Sequence, residues 1–186
     1  MPLTEHQSKA LAIARGQQQG FIPTEKYQQA NAWKELGRLV ELPRQVLDAA
    51  IQDLPLTADE GVFNAIVFVL DGHCGNRNWA RVVNAAQTGI IHRRNGLCCR
   101  FLQNRHDRNP EALRTAMNLL FSQIPTLDEE AELLHIGILY AVYGNNEDVE
   151  ILGNASLRPE RTSDGRRYAT VLAGLNMYVA AHAPAV

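Results

Sequence analysis

Two groups of side chains in this sequence could do chemistry: the adjacent pair His73-Cys74, and seven arginines in the stretch that follows it. The pair lies in Asp71-Gly-His-Cys-Gly-Asn76. A thiol beside an imidazolium and just ahead of a helix N-terminus has a lowered pKa and can act as a nucleophile. Against this, adjacent residues seldom point at one another. Gly72 and Gly75 read equally well as a helix C-cap and a turn. No catalytic residue is therefore assigned, and an enzyme working through His73 and Cys74 stands third among the function classes. The wider set His73, Cys74, His92, Cys98, Cys99 and His106 lacks the tight Cys-x2-Cys type of spacing that zinc sites use. Cys98 and Cys99 would point to different sides of a helix and read as small core residues. Neither a metal nor a cofactor is expected. His135, one turn after Glu132, reads as half of a surface ion pair. Its Glu-x-x-His spacing occurs once, whereas di-iron bundles need it on two helices. The sequence contains no phosphate-binding glycine loop, no Gly-x-Ser-x-Gly and no His-Glu-x-x-His.

The arginines are Arg77, Arg81, Arg93, Arg94, Arg100, Arg105 and Arg108, and Asp107 is the one carboxylate among them. That stretch is cationic in a chain of formal net charge −2, so the segments on either side of it are acidic. With His73 and Asn76 it supplies the residue types that hold phosphates and base edges. A cationic centre between anionic flanks either pairs internally or meets an anionic partner. The acids at Asp128–Glu132 and Glu147–Glu150 are the expected internal partners. Arg93 and Arg94 fall at a helix C-terminus, where the dipole favours cations without any ligand. A sequence pI of about 6.3 and the lack of a recognised DNA- or RNA-binding module weigh against nucleic acid.

These residues must be positioned by helices. Val46, Leu47, Ala50, Ile51 and Leu54 follow a helical period, as do Trp79, Val82, Val83, Ala86 and Ile90. Leu113, Met117, Leu120, Phe121 and Ile124 form a third stripe. Tyr168, Val171, Leu172, Leu175, Tyr178, Val179 and His182 form a fourth. Val62–Leu70 and Leu133–Tyr143 are apolar nearly all round and should be the most buried helices. Thr57-Ala-Asp-Glu60 and Thr126-Leu-Asp-Glu129 read as capping boxes. Asn109-Pro110, Thr24 and Ser163 read as further helix starts. The pattern predicts helices at about 4–18, 24–41, 43–53, 58–71, 77–92, 97–105, 110–124, 127–143, 146–153 and 163–182. Loops are expected at 19–23, 72–76, 94–96, 106–109 and 144–146, with the longest at 154–165.

The fold class is thus all-α: a compact multi-helix bundle of about nine or ten helices. The alternative is a short α-solenoid of helix pairs. It rests on the likeness of Asp53–Glu60 to Gln123–Glu130, about 70 residues apart. One domain, 1–186, is expected, with 1–55 a candidate N-terminal subdomain packed on 56–186. No membrane segment is expected, since the apolar runs are too short. Three cysteines, two of them adjacent, are no disulfide framework, and the N-terminus has no secretory pattern, so the reading is cytoplasmic. The leading function is a non-catalytic protein–protein interaction module of the adaptor, chaperone or toxin-immunity kind. Its alternative is nucleic-acid or phosphate-ligand binding through residues 77–108.

Overall fold

The computed structural model describes residues 2–17, 24–157 and 162–183, all as helices, turns and short connections. Among them are ten α-helices: α1 (Glu5–Ala14), α2 (Lys26–Gly37), α3 (Arg44–Asp53), α4 (Glu60–His73), α5 (Asn76–Arg93), α6 (Gly96–Gln103), α7 (Ala112–Gln123), α8 (Glu130–Tyr143), α9 (Asn146–Ser156) and α10 (Thr162–Ala181). Two 3-10 turns, Leu54–Leu56 and Ile124–Thr126, extend α3 and α7. The all-α bundle expected from periodicity is what forms. None of these helices is long and apolar enough to cross a membrane.

The backbone clusters into two compact units, Met1–Gly89 and Ile90–Val186, with the boundary inside α5. In the first unit α4 packs on α2 and α3, and α1 packs on α2. Phe63, Ile66, Val69 and Leu70 of α4 are buried, with Trp33 and Leu36 of α2 and Val46 and Ala50 of α3. Each buried Val, Leu, Ile or Phe among them contributes roughly 1.5–3 kcal/mol of hydrophobic stabilisation. In the second unit α8 packs on α10 and α6, and α10 packs on α9. The α8–α10 crossing runs backbone to backbone. A Cβ on Gly137 would overlap the Val171 carbonyl, and one on Gly174 would overlap that of Leu134. Only glycine permits that approach.

Both expected capping boxes fail in the same way. The Thr57 hydroxyl donates to the Asp53 carbonyl at 2.7 Å, and that of Thr126 to the Gln123 carbonyl at 2.7 Å. Each closes the end of the preceding helix, where Pro55 or Pro125 supplies no N–H. The true N-cap of α4 is Asp59, whose carboxylate accepts from the Val62 amide at 2.9 Å. Glu129 occupies the N-cap position of α8 with no side-chain bond. The helices therefore start later than predicted, and α4 runs on through His73 into the expected loop 72–76. Helix α7 likewise starts at Ala112, beyond Asn109-Pro110. Glu25, not Thr24, caps α2. Helix α9 reaches Ser156, and α10 begins at Thr162, so most of the expected 154–165 loop that is described is helical. The expected loop 19–23 lies outside the described residues.

The faint likeness at 70 residues is an architectural repeat. The 3-10 turn Leu54–Leu56 recurs as Ile124–Thr126, Glu60–His73 as Glu130–Tyr143, and the start of α5 at Asn76 as the start of α9 at Asn146. Buried positions recur with it: Leu54 and Ile124, Phe63 and Leu133, Ile66 and Ile136, Val69 and Leu139, Val82 and Leu152. Some exposed positions recur in type, as Glu60 with Glu130 and Asn76 with Asn146, and others do not. Asp71 corresponds to Ala141, and Arg77 to Glu147.

Candidate functional site

The side chains singled out by their chemistry are largely engaged by the chain itself. His73 ends α4, and its Nε2–H donates to the carbonyl of Gly37, the last residue of α2, at 2.9 Å. This bond fixes where α2 ends against α4. Cys74 is buried, and its thiol donates to the Gly75 carbonyl at 3.7 Å. Asn76 opens α5 and is exposed. Cys98 and Cys99 are fully buried on α6. Burial pushes the Cys98 thiol up to about 12 and raises Cys99 as well, so neither is a thiolate near neutrality. All three cysteines are free thiols. Among the described residues no three His, Cys, Asp or Glu side chains converge as a metal-ion site would need.

The arginines divide between the units. Arg77 and Arg81 stand on the first half of α5. Arg77 is exposed. Arg81 reaches back to α3, with Nη2 2.8 Å from Asp48 Oδ1, and donates to Asn78 Oδ1 at 3.2 Å. In the second unit Arg93 ends α5 and is exposed. Arg94 follows in the left-handed region, φ +50°, uncommon for a residue with a Cβ. Its side chain is only 11% exposed. It donates to the carbonyls of Ile91 at 2.7 Å and His92 at 3.1 Å, capping α5 with its own side chain. Glu132 Oε2 lies 3.6 Å from its Nη2. The Arg94 carbonyl accepts from His135 Nε2 at 2.8 Å. Glu132 and His135 thus meet on Arg94, one on its charge and one on its backbone, and not on each other as the spacing suggested. Arg100 is half-buried. Arg105 stacks over the Phe101 ring, 4.2 Å from its centroid, and donates to the Phe101 carbonyl at 3.4 Å. Arg108 is exposed.

The expected internal clamp forms between Arg94 and Glu132. Asp128 is taken instead by Arg167 of α10, and Asp148 by Arg114 of α7. These partners are 39 and 34 residues apart, so no local spacing announces them. The Arg114–Asp148 pair is the most enclosed: Asp148 is 3% exposed and also accepts from the Asn145 amide. Burial pushes its carboxyl up, but the hydrogen bonds from Arg114 and Asn145 and the Arg114 charge outweigh that and hold it below the ordinary value.

Each unit carries a cleft lined by described residues and open to solvent. The first, about 470 Å³, lies where the end of α1, the start of α2 and the loop before α4 meet. It is lined by Arg15, Lys26, Asp53, Leu56, Thr57, Ala58 and Asp59. The second, about 300 Å³, is walled by the loop before α8 and the first turns of α10, with Asp128, Glu130, Arg166 and Arg167 among its lining residues. Sequence reasoning missed both, because each draws its cation from a helix distant along the chain. No protein-family model, curated protein or solved structure matches this chain.

Proposed function

We propose that this chain is a non-catalytic protein-binding scaffold of the reducing cytoplasm, holding a partner on the polar, charged surface of a tandem helical repeat. The observation that carries the reading is the 70-residue recurrence of helix boundaries, with shared buried positions such as Leu54 and Ile124, Ile66 and Ile136, and Val82 and Leu152. Recurring helices on recurring core positions are the build of helical repeat proteins, whose outer faces recognise partners. Two further observations support it. His73, Arg81, Arg94 and His135 serve as ties between helices. The three thiols are free and buried, which suits a reducing compartment.

The second reading, binding of nucleic acid or a phosphorylated ligand, draws on the exposed Arg77 and Arg93. One experiment separates the two. The tagged chain is cross-linked in its source cells, recovered after nuclease treatment, and passed over a heparin resin at low salt. A stoichiometric, nuclease-resistant protein partner with little heparin retention is the expected result. Nuclease-sensitive recovery, with retention that Arg77→Ala and Arg93→Ala abolish together, overturns it in favour of the second reading.

A further inference from the structure

The two clefts occupy the same place in the repeat. Thr57 and Ala58 line the first, and their counterparts 70 residues on, Leu127 and Asp128, line the second. The surrounding charges come from unrelated parts of the chain, yet the arrangement is the same: two cations and two carboxylates in each. They are Arg15, Lys26, Asp53 and Asp59 in one, and Arg166, Arg167, Asp128 and Glu130 in the other. One arginine in each is held by acids. Arg15 donates to both oxygens of Asp53, at 3.0 and 3.1 Å. Arg167 pairs with Asp128 and Asp164 and donates to the Leu127 carbonyl at 2.6 Å. The second cation is more loosely held. Lys26 Nζ reaches Gln29 Oε1 at 3.5 Å, and Arg166 is exposed. An apolar side chain completes each wall: Leu56, 58% exposed, in the first, and Leu133 in the second.

We infer that the two clefts are a duplicated docking site for short partner segments carrying one basic and one acidic residue around an apolar one. This rests on the protein-binding reading above and names the partner's chemistry. Beyond the Arg15–Asp53 and Arg167–Asp128 pairs, each wall keeps one cation and one carboxylate among its described residues: Lys26 with Asp59, and Arg166 with Glu130. A guest of one sign is attracted by half of the wall and repelled by the other half, whereas a mixed-charge guest satisfies both. The volumes fall at the lower end of the ligand-cleft range, roughly 300–1,000 Å³. A free small molecule needs most of its surface buried, which a cleft open along one side does not offer. A segment anchored in a larger partner has no such need.

The test uses the full-length chain and three capped, fluorescein-labelled pentapeptides. Their central leucine is flanked by Lys and Glu, by two Glu, or by two Lys. Anisotropy gives affinity, and amide NMR shifts give the place. The mixed peptide should bind about tenfold tighter than either other, the discrimination worth one well-placed charge pair. It should shift the amides of Thr57 and Asp59 and of Asp128 and Ser163. Lys26→Ala should remove the first set of shifts and leave the second, and Arg166→Ala the reverse. Neither residue belongs to an Arg–Asp pair, so the fold should be intact, as circular dichroism would verify. Equal binding of the three peptides, shifts elsewhere, or no shift at millimolar peptide would overturn the inference. If a partner co-purifies while the clefts stay empty, only the cleft assignment falls. If the clefts fill while no protein partner is recovered, only the scaffold reading falls.

Discussion

Each unit ties the first helix of its repeat to the third through one arginine, and the two ties run in opposite directions. In the first unit the acid is on α3 and the base on α5, as Asp48 and Arg81. In the second the base is on α7 and the acid on α9, as Arg114 and Asp148. Each arginine also donates to an asparagine of its own helix, Arg81 to Asn78 and Arg114 to Asn118. In the repeat, Asn78 corresponds to Asp148 and Asn118 to Asp48. The geometry has been kept while the polarity has been exchanged, so what recurs is the need to fasten these helices and not a particular residue. The ties also differ in quality. Asp48 Oδ1 lies close to Arg81 but accepts no hydrogen bond, and the two side chains are 30% and 46% exposed. Asp148 accepts from Arg114 through both oxygens and also from the amide of Asn145, the N-cap of α9.

The largest expected difference between the units lies at their glycines. Gly174→Ala drives a Cβ into backbone and should cost about 3 kcal/mol. Gly37→Ala meets only the Phe68 ring and Val69 methyl and should stay within about 1 kcal/mol of wild type, because Phe68 is half exposed and can move. Urea denaturation of the two variants checks this, and equal losses would remove the backbone-to-backbone account of the α8–α10 crossing. Next come the ties. Asp148→Ala strands a half-buried arginine and the Asn145 amide and should cost about 2 kcal/mol, whereas Asp48→Ala, at a solvated pair, should cost under about 1 kcal/mol.

The same comparison extends to acid. Asp148 titrates below its ordinary value, so its contribution is complete above about pH 4 and is lost as pH falls through the lower folded value. Asp53 behaves oppositely. Burial raises its carboxyl, only partly offset by hydrogen bonds and charge from Arg15. Its favourable contribution is complete below the ordinary value and fades as pH rises through the folded one. Relative to wild type, Asp148→Asn should lose stability at neutral pH and recover parity toward about pH 2. Asp53→Asn should gain on wild type as pH rises above about 4. Urea midpoints across pH 2–7 measure both, and parallel curves for the two variants would contradict the assignment. The smallest effect is kinetic. Cys74, Cys98 and Cys99 should react with iodoacetamide only through opening of the fold, at least about 100-fold slower than in urea. Rapid labelling of Cys74 below neutral pH would restore the nucleophile reading.

Helix content was legible because periodic apolar stripes need only local chain to be read. The stripe Tyr168–His182 was overread. It packs through Val171 and Leu175, but Val179 is 53% exposed, and Tyr178 and His182 stack on each other at 3.9 Å. Period alone does not say where the neighbouring helix ends. Helix starts were misread where a threonine could serve either of two helices, and proline decided for the earlier one. The repeat left only a faint trace, since buried pairs such as Leu70 and Tyr140 share burial and not identity. Arg94 was placed correctly at the end of α5. Its left-handed backbone and its bonds to Glu132 and His135 depend on α8, which the sequence does not bring near.

The most direct test of the scaffold reading is native mass spectrometry of the chain isolated from its own cells after nuclease treatment. The account predicts a discrete complex of this chain with a different protein in fixed ratio, retained when Cys74→Ala or His73→Gln is introduced into a chain that still folds. A bare chain at every concentration, or a complex that disappears with nuclease, would contradict it.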